Sequence, residues 1–76
     1  MDPSTFYSHI AEIADTDVAN VNPSAELVSL GWSSLSVISF IAFADDSFGV
    51  ILDARKLATC KTVGDLMELL DDKVVA

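Results

Sequence analysis

The sequence contains few of the residues that mark secreted, nucleic-acid-binding or membrane-spanning proteins. Its one cysteine, Cys60, cannot form an internal disulfide, which is typical of a reducing compartment. Only 4 lysines and arginines stand against 12 acidic residues, and the net charge of −8 opposes binding to phosphate backbones. The longest nearly apolar run, residues 37–44, is too short to span a membrane, and the first residues lack the pattern of a signal peptide. We therefore expect a cytoplasmic protein that binds neither nucleic acid nor a membrane.

Composition indicates a small folded domain with an acidic surface. The chain has 76 residues, of which 51% are hydrophobic and 21% are charged, which is enough apolar material for one core. We expect residues 1–76 to form a single monomeric domain. The acidity has two interpretations that the sequence leaves open. It keeps a small domain in solution, or it attracts basic patches on partner proteins.

Apolar periodicity and turn signals predict an all-α fold, a small irregular four-helix bundle. Helices are predicted over approximately residues 4–14, 34–48, 53–58 and from 63 onward. Ser4 is the predicted N-cap of the first helix, and Thr62 with Asp65 forms a capping box for the last. The long connection, residues 15–33, is expected to pack down and to contain a short helical turn after Pro23.

Apolar residues outside the second helix supply most of the predicted core. In the first helix they are Phe6, Ile10, Ile13 and Ala14. In the connection they are Val18, Val21, Leu27, Val28 and Leu30. In the last helix they are Val63, Leu66, Met67, Leu69, Leu70 and Val74.

The second predicted helix has two apolar faces. One face is suited to the core and carries Val37, Phe40, Ile41, Ala44 and Phe48. The opposite side, which includes Ser34, carries Leu35, Ile38 and Ala42. A domain of this size cannot bury a helix on every side, so we interpret these three residues as an exposed docking strip. Ser36 and Ser39 are expected at the flanks of the helix.

Residues 31–35 read Gly-Trp-Ser-Ser-Leu and place a serine at the mouth of this helix, after a glycine turn. The string resembles the Gly-x-Asp-Ser-Leu motif of acyl carrier proteins. Residues 21–27 (Val-Asn-Pro-Ser-Ala-Glu-Leu) resemble the segment that precedes that motif. Residues 45–50 (Asp-Asp-Ser-Phe-Gly-Val) resemble the end of the family's second helix, and residues 62–66 (Thr-Val-Gly-Asp-Leu) the start of its last. The order and spacing of the four segments make the resemblance specific.

The resemblance implies a carrier that catalyses nothing itself. Ser34 would receive 4′-phosphopantetheine from coenzyme A, and acyl chains would be carried on its thiol as thioesters in polyketide, fatty-acid or related specialised biosynthesis. The implied partners are a phosphopantetheinyl transferase, an acyltransferase or acyl-ligase, a ketosynthase and other biosynthetic enzymes. The space between the helices would shelter the acyl chain beside Phe40, Phe43, Ile51 and Leu66.

The chain departs from the family pattern at Ser33, where an aspartate is usual. Ser36 and Ser39 likewise stand where further acids are expected, so the helix start lacks the charge that attracts basic partner enzymes. Ser33 can still cap the helix. We interpret the chain as a specialised carrier, and as an alternative as an acidic helical interaction domain that no longer carries a prosthetic group. The expected partner-docking residues are Trp32, Ser33, Leu35, Ile38, Ala42, Asp45 and Asp46.

Four other features have weaker or divided functional interpretations. His9 and Ser34 are not expected to form a nucleophile pair, because nothing indicates an oxyanion site. Cys60 is expected to be a small core residue. A calcium loop over residues 15–26 fails at the positions that need ligands and a glycine, so no metal site is predicted. Trp32 is equally well interpreted as a loop anchor or as a contact for a partner or prosthetic group.

Overall fold

A computed structural model describes residues 1–70 and Val74, and four α-helices form the framework of that part of the chain. They are α1 (Pro3–Ala14), α2 (Ser34–Phe48), α3 (Ala54–Ala58) and α4 (Val63–Leu69). Two short 3₁₀ turns, Val18–Asn20 and Leu27–Leu30, lie in the connection between α1 and α2. The predicted all-α bundle is confirmed, and the second of these turns is the one expected after Pro23.

Helix boundaries follow capping chemistry, with one departure from the prediction. The predicted N-cap Ser4 is wrong: Asp2 caps α1, and its carboxylate accepts the Thr5 N–H at 2.8 Å. Pro3 occupies the first helical position, where a missing N–H has no cost, and this moves the start of the helix towards the N-terminus. At the C-terminal end of α2, Gly49 has a φ of 66° and terminates the helix as expected.

The long connection is fastened to the start of α4 by backbone hydrogen bonds. The Leu27 N–H donates to the Lys61 carbonyl at 2.8 Å, and the Gly64 N–H donates to the Pro23 carbonyl at 3.0 Å. A Cβ atom at position 64 would lie 3.0 Å from the same Pro23 oxygen, so glycine allows this close approach. The segment that leads into α2 is therefore held against the opposite end of the chain.

The core draws on every helix and on the connection. Its buried apolar residues are Phe6, Ile10, Ala11, Val21, Leu27, Leu30, Phe40, Ala44, Leu57, Val63, Leu66, Leu70 and Val74. Two predicted core residues are exposed instead, Val18 and Val28. All three residues of the turn Val18–Asn20 are exposed. Val28 lies between Leu27 and Leu30, which the second turn directs inward at a spacing of three. Ile13, Ala14, Met67 and Leu69 are partly buried at the edge of the core. No helix in the described part of the chain is long and apolar enough to cross a bilayer.

Candidate functional site

A tight turn at Gly31 leads the chain into α2. Gly31 has a φ of 76°, a left-handed conformation that favours glycine, and ends the turn Leu27–Leu30. The next backbone N–H, that of Trp32, donates to the Leu27 carbonyl at 3.1 Å. The left-handed conformation of Gly31 and this hydrogen bond fix the direction in which the chain enters α2.

Two serines cap α2 reciprocally. The Ser36 N–H donates to the Ser33 hydroxyl oxygen at 3.4 Å, and the Ser33 N–H donates to the Ser36 hydroxyl oxygen at 3.1 Å. The two hydroxyl oxygens are 3.3 Å apart. The expected capping role of Ser33 is confirmed. The expectation that Ser36 lies at a flank is wrong, because its side chain is buried and completes the cap.

Ser34 is the first residue of α2 and its side chain is exposed. Within the described residues, neither its hydroxyl nor the backbone N–H groups of Ser34 and Leu35 have a hydrogen-bond partner. Free N–H groups and the positive end of the helix dipole make such a position favourable for a phosphate. The site therefore offers one available hydroxyl beside a place suited to an anionic group.

The docking strip lies open to solvent, as expected. Leu35 is 72% exposed and Ile38 is 63% exposed, while Ala42 is also exposed one turn further on. Asp45 and Asp46 are exposed in the last turn of α2. Acidic side chains are unfavourable beside the negative end of a helix dipole, so helix stability does not account for this pair.

Behind the site, Trp32 joins an aromatic cluster. Its ring packs edge-on against Phe40, with 6.0 Å between centroids, and Phe40 meets Phe6 edge-on at 6.2 Å. Phe40 and Leu66 are fully buried, and Phe43 is partly buried beside them. The expectation that Ile51 lines this interior is wrong, since 87% of Ile51 is exposed in the segment after α2. The anchoring interpretation of Trp32 fits this packing, and its contact with partners stays a prediction.

His9 and Cys60 lie outside the candidate site, and their surroundings indicate structural roles. The His9 ring stacks on Phe43 with 4.6 Å between centroids, which places it in the packing of α1 against α2. Cys60 is partly buried, and its pKa is raised by burial and by the nearby charges of Asp65 and Glu68. A raised pKa leaves less of the nucleophilic thiolate, so these surroundings do not activate Cys60.

A groove of about 400 Å³ that the sequence did not indicate opens between the connection and the start of α4. It is lined by Glu26, Leu27, Val28, Cys60, Lys61 and Thr62. The groove depends on pairing between segments that are distant in the sequence, so no local pattern could have revealed it.

Comparison with known proteins decides the family. The profile described as "Phosphopantetheine attachment site" matches residues 4–70. The acyl carrier protein of Helicobacter pylori strain G27 is 35% identical over 68 residues, which cover 88% of this chain and 87% of that protein. The acyl carrier protein of strain J99 is 32% identical over the same shares. The chain belongs to the acyl carrier protein family.

Membership of the acyl carrier protein family makes this chain a non-catalytic carrier that holds 4′-phosphopantetheine covalently and interacts with biosynthetic enzymes. The residues at the start of α2 fit the prosthetic group. An exposed hydroxyl stands beside two backbone N–H groups that have no other acceptor among the described residues, which suits a phosphodiester.

Proposed function

We propose that this acyl carrier protein holds 4′-phosphopantetheine on Ser34 and carries acyl intermediates there as thioesters. The prosthetic group supplies a thiol on a flexible arm. The protein supplies the exposed Ser34 hydroxyl, the N–H groups of Ser34 and Leu35 for the phosphate, and the surface that partner enzymes recognise.

The observation that carries the proposal is that, of the Ser33, Ser34 and Ser36 hydroxyls, only that of Ser34 is free to react in the described part of the chain. The hydroxyls of Ser33 and Ser36 are 3.3 Å apart and both take part in the cap of α2. That of Ser34 is exposed and has no partner in the described part of the chain. Modification at Ser33 would remove the cap, whereas modification at Ser34 leaves the helix start intact.

We further propose that the partners are dedicated enzymes of polyketide, fatty-acid or related specialised biosynthesis. Trp32, Ser33, the docking strip, Asp45 and Asp46 would form the surface that they contact. The start of α2 carries serine hydroxyls where charge would attract a generic basic partner, so recognition there depends on apolar contact with the docking strip.

Intact mass after coexpression with a broad-specificity phosphopantetheinyl transferase tests the attachment site. We expect the wild-type chain to gain one phosphopantetheine. Ser34→Ala should gain none, and the folded fraction of Ser33→Ala and of Ser36→Ala should gain one each. Circular dichroism of each variant reports whether the helices persist.

A gain that persists in Ser34→Ala would place the attachment elsewhere. No gain in the folded wild-type chain with any transferase tried, including one encoded nearby, would favour the alternative function. The chain would then be an acidic interaction domain that keeps the carrier fold, which the absence of aspartate at position 33 makes worth testing.

A further inference from the structure

Trp32 carries a hydrogen-bond donor that the described residues leave unpaired. Its indole nitrogen, Nε1, is shielded from solvent and has no acceptor in the described part of the chain. Burying an unpaired donor is unfavourable, and most buried donors in native structures have an acceptor, so this N–H requires an explanation. The N–H belongs to the residue two positions before Ser34.

The surroundings of the indole are apolar and fixed. Its ring packs edge-on against the fully buried Phe40, with 6.0 Å between centroids, and aromatic carbon offers no strong acceptor. The backbone N–H of Trp32 is already bonded to the Leu27 carbonyl at 3.1 Å. Packing explains a large aromatic ring at this position, but it does not supply an acceptor for the buried N–H.

We propose that the indole N–H of Trp32 donates a hydrogen bond to a carbonyl oxygen of the prosthetic arm on Ser34 or of the acyl chain that the arm carries. The proposal rests on the proposed function. Two carbonyl sources share this chemistry, an amide of the prosthetic arm and an oxygen of the acyl chain. Trp32 is thereby a positioning residue, and it would favour one acyl chain over another only where the acceptor is an oxygen of the chain beyond the thioester.

Leu27 lies next to both the Trp32 backbone and space that an acyl chain can occupy. Its carbonyl accepts the Trp32 backbone N–H at 3.1 Å, and Leu27 lines the groove of about 400 Å³, whereas Trp32 is not among the lining residues. An acceptor would therefore have to reach the indole from the groove past Leu27. The groove also exposes Val28 and the partly buried Cys60, so its wall is mainly apolar. A carbonyl inserted among such side chains needs a donor, because an apolar wall does not replace its hydrogen bonds to water.

The single tryptophan makes the test direct, since ¹⁵N-labelled protein gives one indole cross-peak in an NMR spectrum. We would compare the apo form, the form loaded with phosphopantetheine, and forms loaded with a butyryl or a 3-oxobutyryl chain. Intact mass confirms each loading first. We expect a downfield shift of the indole proton and exchange with solvent slowed about fivefold, as one added hydrogen bond requires.

The form in which the change first appears identifies the acceptor. If the indole signal changes with the arm alone, the acceptor is an arm amide. If it first changes with the butyryl form, the acceptor is the thioester carbonyl. If it changes only with the 3-oxobutyryl form, the acceptor is the ketone of the acyl chain. An indole that is unchanged in every loaded form overturns the inference and leaves the proposed function standing. Failure of loading itself, read by mass, overturns both.

Trp32→Phe is the second variant, because it keeps an aromatic ring and removes the donor, together with part of the packed ring system. The smaller ring loses packing against Phe40 while the unpaired donor is removed, so the two effects on the apo form oppose each other and the readout is the change on loading. Loading with the cargo that shifts the indole should raise the melting temperature of the wild type and not that of the variant. An equal rise in both proteins would contradict the inference.

Discussion

At the scale of single residues, the least expected finding is that Ser36 completes the cap of α2. Its hydroxyl accepts the Ser33 N–H at 3.1 Å from a buried position, although serine in a helix is usually a weak, solvent-facing choice. The substitution Ser36→Ala should leave that N–H unpaired and lower the free energy of unfolding by about 1 kcal/mol. Urea denaturation measures the change.

The matched control is Ser39→Ala on the exposed side of the same helix. Alanine is the better helix former, so this variant should be unchanged or more stable by a few tenths, roughly 0.5 kcal/mol at most. If both variants lost the same free energy of unfolding, the Ser33–Ser36 cap would not contribute specifically to stability.

The contrast between Ser33 and Ser36 marks what sequence could predict here. Serine is a favoured N-cap residue, so the sequence indicates that Ser33 can cap α2 although the family usually has aspartate there. Serine is also a mediocre helix former, and on that ground the sequence places Ser36 at a flank of the helix. The Ser36 hydroxyl completes the capping box only because it lies within reach of the Ser33 backbone, which the structure shows at 3.1 Å.

At the scale of elements, the start of α4 depends on the charge of Asp65. Its carboxylate accepts the backbone N–H groups of Lys61 at 2.9 Å and Thr62 at 3.2 Å. These bonds favour the charged form and lower the pKa of Asp65 below its ordinary value of 3.8. A lowered pKa stabilises the fold fully above pH 3.8 and loses that effect as pH falls through the folded value.

We therefore expect Asp65→Asn to be less stable than the wild type at neutral pH. The difference between the two proteins should shrink as the pH falls below 3.8, because the wild-type carboxyl is then protonated as well. Thermal melts of both proteins across an acid series measure this. A difference that stays constant with pH would show that charge at this cap does not matter.

Another element with a separable role is the docking strip on α2. Replacing Leu35 and Ile38 together by serine should reduce kcat/KM for loading by a transferase about tenfold or more, since each apolar contact in an interface centre can contribute about 1 kcal/mol. Both side chains are mostly exposed, so the free energy of unfolding should change by less than about 0.5 kcal/mol. Rates come from mass spectra taken over time.

Val28→Ser provides the control for that variant. Val28 is 79% exposed but lies in a 3₁₀ turn outside the docking strip. Its loading rate should match the wild type. A loss as large as that of the double variant would mean that general surface hydrophobicity, and not the strip, guides the transferase.

At the scale of the whole molecule, stability depends on Phe40. It is fully buried and its ring packs edge-on against both Phe6 and Trp32. Truncation of a buried phenylalanine costs about 3–5 kcal/mol, much of the total that a small domain possesses. We expect Phe40→Ala to be largely unfolded by circular dichroism, whereas Ile51→Ala, at a residue 87% exposed, should melt like the wild type. A folded Phe40→Ala protein would contradict this view of the core.

The helices were largely predictable, and the arrangement of the connection was not. Apolar periodicity and glycine defined α2 from Ser34 to Phe48 because both signals are local. The burial of Val21 and the exposure of Val28 depend on how the first turn packs against α1 and how the rest of the connection bonds to the start of α4. Such contacts join residues far apart in sequence, and hydropathy alone cannot order them.

The occupied hydroxyl of Ser33 has a consequence for when the carrier can be modified correctly. In the folded chain the cap holds that hydroxyl within 3.4 Å of the Ser36 N–H, while the hydroxyl of Ser34 stays available. Once the first turn of α2 frays, the neighbouring serines become chemically alike. Discrimination between two adjacent, identical side chains is thus supplied by folding itself, and an enzyme that reads only a short peptide would lose it.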